Sequence, residues 1–86
     1  MGRYNLFIKP SAARELEAVD SARDRLRIVE RIEALAGNPR PQGVQKLSGA
    51  EKYRIRSGDY RILYTIDDDK LAVCVVKLGH RREVYR

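Results

Sequence analysis

Alternation of apolar and polar side chains in the second half of the chain constrains its fold more than any other feature. The alternation has a period of two over residues 53–57 and again over residues 60–66, with Gly58 and Asp59 between the two stretches. An acidic break at residues 67–70 precedes a third, more apolar stretch. A period of two is typical of strands with one buried face, and short polar breaks are typical of tight turns. The pattern predicts three antiparallel strands.

The start of the chain predicts one further strand and a short helix. Tyr4, Leu6 and Ile8 alternate before the break at Pro10, which indicates a strand over residues 3–8. Residues 11–18 contain three alanines and predict a short helix entered through Pro10.

A second helix is predicted from Ser21 to the break at Gly37. Ser21 suits the N-cap position, with the acidic residue Asp24 three positions later. Gly37 and Pro39 end the helical pattern. Apolar residues at spacings of three and four predict a stripe that packs on a sheet. The predicted stripe consists of Ala22, Leu26, Val29, Ile32 and Leu35.

The order of these elements predicts the fold class. Residues 38–49 hold two prolines and two glycines and predict a loop, with a brief strand over residues 44–47 as an alternative. Strand, helix, helix and strands in that order predict an α+β fold. We expect an antiparallel sheet of about four strands with an N-terminal helical hairpin packed on one face.

Charge and composition indicate the class of partner. The 86 residues carry a formal net charge of +6, so the surface should attract nucleic acid or an acidic protein. The single cysteine, Cys74, rules out an internal disulfide, and no second thiol or histidine cluster offers a metal site. We expect no cofactor. The longest apolar run, residues 71–76, is far shorter than the roughly 20 residues of a membrane span. We expect a soluble cytoplasmic protein of one domain, residues 1–86, with no membrane partner.

Three strand arginines are predicted to share one side of the sheet. A two-residue turn after Ser57 would place Arg56 directly opposite Arg61, with Arg54 on the same solvent-exposed face. Like charges directly opposite each other are unfavourable, which favours an anionic ligand such as a phosphate between them. An ordinary solvated sheet face explains the same spacing equally well.

The last residues of the chain add basic and aromatic side chains. His80, Arg81, Arg82 and Tyr85 follow one another closely, and His80 is the only histidine of the chain. Such a mixture suits stacking on unpaired bases and binding of their phosphates.

Two stretches of the sequence strongly resemble the RelE/ParE toxin superfamily. They are Tyr-Arg-Ile-Arg-Ser-Gly-Asp-Tyr-Arg-Ile-Leu-Tyr at residues 53–64 and Val-Val-Lys-Leu-Gly-His-Arg-Arg-Glu-Val-Tyr-Arg at residues 75–86. Residues 10–16 and 44–49 are also similar to the family, so nearly the whole chain is covered. The resemblance implies a sheet with two helices on one face. For RelE-like members it also implies ribosome-dependent cleavage of mRNA in the A site, and an antitoxin that binds across the toxin.

The resemblance further implies which residues are catalytic. Arg61, Arg81 and Tyr85 match two RelE arginines and an aromatic residue near the cut nucleotide by identity. Arg54 and Arg56 match basic strand residues that are lysines in RelE, which is a departure from the pattern. Candidate substrate-binding residues are Lys46, Lys52, His80 and Arg82.

The implied reaction is attack of the RNA 2′-OH on the neighbouring phosphodiester without a metal ion. It needs a base, a cation that stabilises the phosphorane, and an acid for the leaving oxygen. Arginine is a poor base because its pKa lies above about 12. The base is left open among Lys52, Tyr85 and His80.

Partners and rival functions follow from the same resemblance. We expect a cognate acidic antitoxin, the ribosome with its A-site mRNA, and operator DNA contacted only through the antitoxin. A ParE-like inhibitor of DNA gyrase without nuclease activity is the alternative, because the fold and much of the strand signature occur there too. A plain RNA-binding module is a third possibility.

Overall fold

A mixed five-stranded sheet lies at the centre of the computed structural model, which describes residues 3–47 and 52–80. Two helices, α1 (Pro10–Glu17) and α2 (Ala22–Ala34), follow the first strand. The strands are β1 (Asn5–Ile8), β2 (Gln45–Lys46), β3 (Lys52–Ser57), β4 (Tyr60–Asp67) and β5 (Ala72–His80). Their spatial order is β1-β5-β4-β3-β2.

The predicted α+β class and the three-stranded antiparallel unit are confirmed. Two details of the sheet differ from the expectation. β2 adds a short strand at the edge of β3, in the segment for which the sequence predicted either a loop or a brief strand. β1 pairs with β5 in parallel, so the sheet is mixed. β1 therefore forms one edge of the sheet, beside β5, and β2 forms the other edge, beside β3.

The two helices begin as the sequence indicates. Pro10 occupies the first turn of α1, where its missing N–H needs no partner. The Ser21 hydroxyl accepts a hydrogen bond from the Asp24 backbone N–H at 3.2 Å and caps α2. Neither helix is long and apolar enough to cross a membrane, among the residues that the structure describes.

Two members of the predicted stripe on α2 are wrong, because Ala22 and Leu26 are both exposed. Ile28, Ile32 and Leu35 are the buried residues, with at most 3% exposure, whereas Leu26 is 59% exposed. At 3.6 residues per turn, Leu26 lies about 200° around the helix from Ile28. The stripe therefore runs through Ile28, and Leu26 faces solvent.

A buried tyrosine joins the sheet to the loop after α2. Tyr64 is fully buried and its hydroxyl donates a hydrogen bond of 2.7 Å to the Pro39 carbonyl. Its ring stacks on that of Tyr53, with the centroids 5.9 Å apart. Burial raises the pKa of the Tyr64 hydroxyl to about 12. The remaining core is made of aliphatic side chains from both helices and from β3, β4 and β5.

A β-bulge in β5 decides which face each of its side chains takes. Leu63 pairs with Lys77, but the next residue, Tyr64, pairs with Val75, so Val76 is an extra residue. Before the bulge Val75 faces the helices, and after it Leu78 does. If side chains alternated regularly from Val75 onwards, with no bulge, Lys77 would point into the core.

Candidate nucleic-acid interface

The hairpin of β3 and β4 places the strand arginines. Gly58 has a φ of +60°, which a two-residue turn requires, and Ser57 pairs with Tyr60 across it. Arg56 is directly opposite Arg61, as the sequence predicted. Four basic side chains of this hairpin alternate with the core residues and lie on the open side of the sheet. We call them the basic face: Lys52, Arg54, Arg56 and Arg61.

Burial distinguishes the arginines of the basic face. Arg56 is exposed and Arg54 is half-buried. Arg61 is only 8% exposed, with its Nε buried, so the expectation that Arg61 lies exposed on an open face is wrong. Alternation alone predicts the face on which a side chain lies and does not reveal how much of that side chain is covered. A guanidinium that is shielded from water interacts more strongly with an anion than an exposed one does.

Neighbouring elements fix the arginines on β3. The Arg54 guanidinium donates a hydrogen bond to the side-chain carbonyl of Gln45, its partner on β2. Arg31, on α2, donates from its Nε to the Arg56 carbonyl at 3.2 Å. The first contact orients the Arg54 side chain, and the second anchors the β3 backbone at Arg56.

Two predicted substrate-binding residues lie on the opposite, helix-covered face. Lys46 pairs with Tyr53, and its Nζ is 5.9 Å from the centre of the Tyr53 ring. His80 pairs with Tyr60, and their rings meet edge to face with centroids 5.7 Å apart. A third predicted substrate-binding residue, Lys52, is exposed and lies on the basic face itself.

A hollow near His80 was not predicted from the sequence. Its volume is about 340 Å³, and it lies between the turn that joins the two helices and the adjoining ends of β4 and β5. Tyr60 and His80 form part of its wall, together with the carboxylates of Glu15 and Asp20. No pattern along the chain indicates this hollow, because the pairing of Tyr60 with His80 depends on the bulge at Val76.

A second polar cluster lies at the other end of the sheet. Asp68 accepts hydrogen bonds from both terminal nitrogens of Arg40, at 2.9 and 3.1 Å, and from the Tyr4 hydroxyl at 2.6 Å. The hydrogen bonds from Arg40 and Tyr4 lower the pKa of Asp68 to about 2. As the sequence indicated, residues 67–70 form a turn, in which the Lys70 N–H donates to the Asp67 carboxylate.

The remaining candidates, Arg81, Arg82 and Tyr85, lie outside the described residues. The chain passes from β5 into this segment directly after His80. Their roles stay predictions.

Comparison with protein families gives one match over almost the whole chain. The family model described as the ParE toxin of the type II toxin-antitoxin system, parDE, matches residues 6–85. Among individual sequences, the chain is 40% identical over 37 residues to toxin RelG of Mycobacterium tuberculosis. That match spans 43% of this chain and 42% of the mycobacterial protein.

Solved structures with a similar fold include two RelE-type complexes. The archaeal RelE-RelB complex from Pyrococcus horikoshii matches with a TM-score of 0.83 and 26% identity, covering 94% of this chain and 98% of that one. The toxin-antitoxin complex RelBE2 from M. tuberculosis matches with a TM-score of 0.79 and 28% identity, over 92% and 99% of the two chains.

Proposed function

The chain belongs to the RelE/ParE superfamily of toxins from type II toxin–antitoxin systems, and from this premise we propose that it is a ribosome-dependent mRNA endoribonuclease. One observation carries the proposal. Arg61, largely shielded from water, is directly opposite the exposed Arg56 on a sheet face that also carries Arg54 and Lys52. Two guanidiniums in this arrangement repel each other, and a phosphate between them relieves the repulsion.

The proposed reaction uses the 2′-OH of the RNA as nucleophile. Its oxygen attacks the adjacent phosphorus, the bond to the 5′-oxygen of the next nucleotide breaks, and a 2′,3′-cyclic phosphate remains. Arg61 holds the phosphate and stabilises the charge that develops on it, because its side chain is fixed before the substrate binds. Arg56 adds a second, more mobile cation, and Arg81 a third.

The proton transfers need groups other than the arginines. Lys52 lies four residues from Arg56, about 13 Å along an extended strand, so it suits a neighbouring phosphate better than the scissile one. His80 lies on the other face of the sheet from Arg61. We therefore assign base or acid chemistry to Tyr85 first, with His80 as the second candidate.

The proposed partners follow from the charge and the relatives. RelE-type relatives have been solved as complexes with an antitoxin, RelB in the archaeal case. A net charge of +6 steers a polyanion towards this chain, so its cognate antitoxin should carry an acidic segment. We propose that this antitoxin blocks the basic face in the cytoplasm and contacts operator DNA on behalf of the complex.

A test of the nuclease uses defined mRNA in a reconstituted translation system. New 3′ ends within the A-site codon are mapped by primer extension, with and without ribosomes. Wild-type protein should produce them only with ribosomes, and Arg61→Ala should not. Arg27→Ala, which removes an exposed arginine from α2, is the matched control and should cleave normally. Wild-type protein that leaves the mRNA intact would end the nuclease proposal.

The second candidate is a gyrase inhibitor that performs no chemistry. The matching family model is that of ParE toxins, and arginines stand where RelE has strand lysines, which favours this reading. Supercoiling by DNA gyrase is measured with the same protein preparation. Inhibition of gyrase together with intact mRNA would support this second function.

A further inference from the structure

The outer edge of β5 changes partner halfway along the strand. β1 pairs with it from Asn5 opposite Ala72 to Ile8 opposite Val75, and the Lys9 N–H donates the next bond to the Val75 carbonyl at 2.9 Å. β1 then ends, whereas β5 continues to His80. The backbone groups on this edge beyond Val75 need partners from elsewhere.

A carboxylate from α1 takes the place of the missing strand. Glu15 accepts a hydrogen bond from the Leu78 backbone N–H at 3.0 Å through Oε1. Its Oε2 is 3.3 Å from the Lys77 ammonium. Leu78 is 1% exposed, so water has little access to replace this bond. A bond to an ionised acceptor is also stronger than one between neutral groups.

The bond lies next to the residues that flank Arg61. Gly79, which follows Leu78, is the partner of Arg61 across β4 and β5, and His80 is the partner of Tyr60. Position 81 is the next in the chain. The last residues of a strand fray when their edge has no partner. Glu15 therefore lies where it can fix the strand that supports Arg61.

We propose that Glu15 is a positioning residue of the basic face: its carboxylate replaces a neighbouring strand and holds the end of β5 beside Arg61. The catalytic part of this inference rests on the proposed nuclease function. Glu15 itself lies on α1 and acts through Leu78 and Gly79 rather than through the RNA.

Four variants separate this role from general stability. Glu15→Ala removes both contacts, whereas Glu15→Gln keeps an oxygen acceptor for the Leu78 N–H. Glu17→Ala changes an exposed acid on the same helix and controls for charge. Ile28→Val loosens the core on α2, which packs on β3, and controls for a loss of global stability.

The first measurement is amide hydrogen exchange of Leu78, Gly79 and His80 in the full chain, which needs no nuclease activity. Exchange at these amides should be about tenfold faster in Glu15→Ala, because a charge-assisted hydrogen bond is lost. Exchange in β3 should not change, and Glu17→Ala should match the wild type. Unchanged exchange at Leu78 in Glu15→Ala would overturn the proposal whatever the protein does to RNA.

The second measurement is the single-turnover rate of mRNA cleavage as a function of ribosome concentration. Glu15→Ala should lower the maximal rate about tenfold with little change in the half-saturating concentration, since Arg61 is misplaced but the contacts with the ribosome remain. Glu15→Gln should recover most of the rate. A fall no larger than that of Ile28→Val would overturn the catalytic part. If the wild type does not cleave at all, the proposed function fails, and exchange alone decides the role of Glu15.

Discussion

Arg56 and Arg61 are directly opposite each other across the β3–β4 hairpin, yet Arg56 is exposed to solvent and Arg61 is only 8% exposed. The pair therefore combines a guanidinium that is shielded from water with one that is exposed to it. Substitution of Arg61 should therefore have a different effect from substitution of Arg56.

Arg61→Ala should reduce the rate of mRNA cleavage by about 10²-fold or more, because it removes a fixed cation from the phosphate on which charge develops. Arg61→Lys should recover only part of the rate, since an ammonium lacks the planar pair of donors. The measurement is single-turnover cleavage on ribosomes, with circular dichroism to verify folding. A folded Arg61→Ala protein that cleaves at the wild-type rate would exclude Arg61 from the site.

Arg56→Gln should stabilise the fold by about 0.2–1 kcal/mol, because it removes a like charge from directly opposite Arg61. Denaturant unfolding measures this change, and high salt should reduce it. The same substitution should weaken cleavage less than Arg61→Ala does. A loss of stability at low salt would show that the two guanidiniums do not repel each other in the free protein.

Tyr85→Ala should strongly reduce cleavage if the ring stacks on the substrate base or its hydroxyl transfers a proton. Tyr85→Phe separates the two roles. It should retain most activity if stacking dominates and lose as much as Tyr85→Ala if the hydroxyl is the base or acid. Cleavage rates of the two variants on the same ribosome complex provide the comparison. Full activity of Tyr85→Ala contradicts both roles.

Stability in acid should depend on Asp68. Hydrogen bonds from Arg40 and Tyr4 lower its pKa in the folded protein to about 2, below its ordinary value of 3.8. Its contribution is therefore complete above about pH 4 and is lost as the pH falls towards 2. Asp68→Asn should flatten this part of a plot of melting temperature against pH.

Arg40→Gln should also flatten the acid part of the plot of melting temperature against pH, because it removes the guanidinium that binds Asp68. The control Arg27→Gln should leave the plot unchanged. An unchanged acid profile in both Asp68→Asn and Arg40→Gln would show that the cluster does not couple stability to pH.

Features that depend on neighbours along the chain could be predicted from the amino-acid sequence. A two-residue turn at Gly58 and Asp59 leaves one register for the hairpin, so the pairing of Arg56 with Arg61 could be predicted. The cap at Ser21 likewise depends on residues three positions apart. The resemblance carried by residues 53–64 and 75–86 led to the correct superfamily.

Features that depend on segments distant in sequence became visible only in the folded chain. The parallel pairing of β1 with β5 and the bond from Leu78 to Glu15 each join residues more than 60 positions apart. The bulge at Val76 places His80 opposite Tyr60, where an unbroken register would place Gly79. Alternation assigns a side chain to a face but does not reveal how much of that face is covered. The burial of Arg61 therefore emerged only when the strands were assembled, because it depends on the side chains that pack around it.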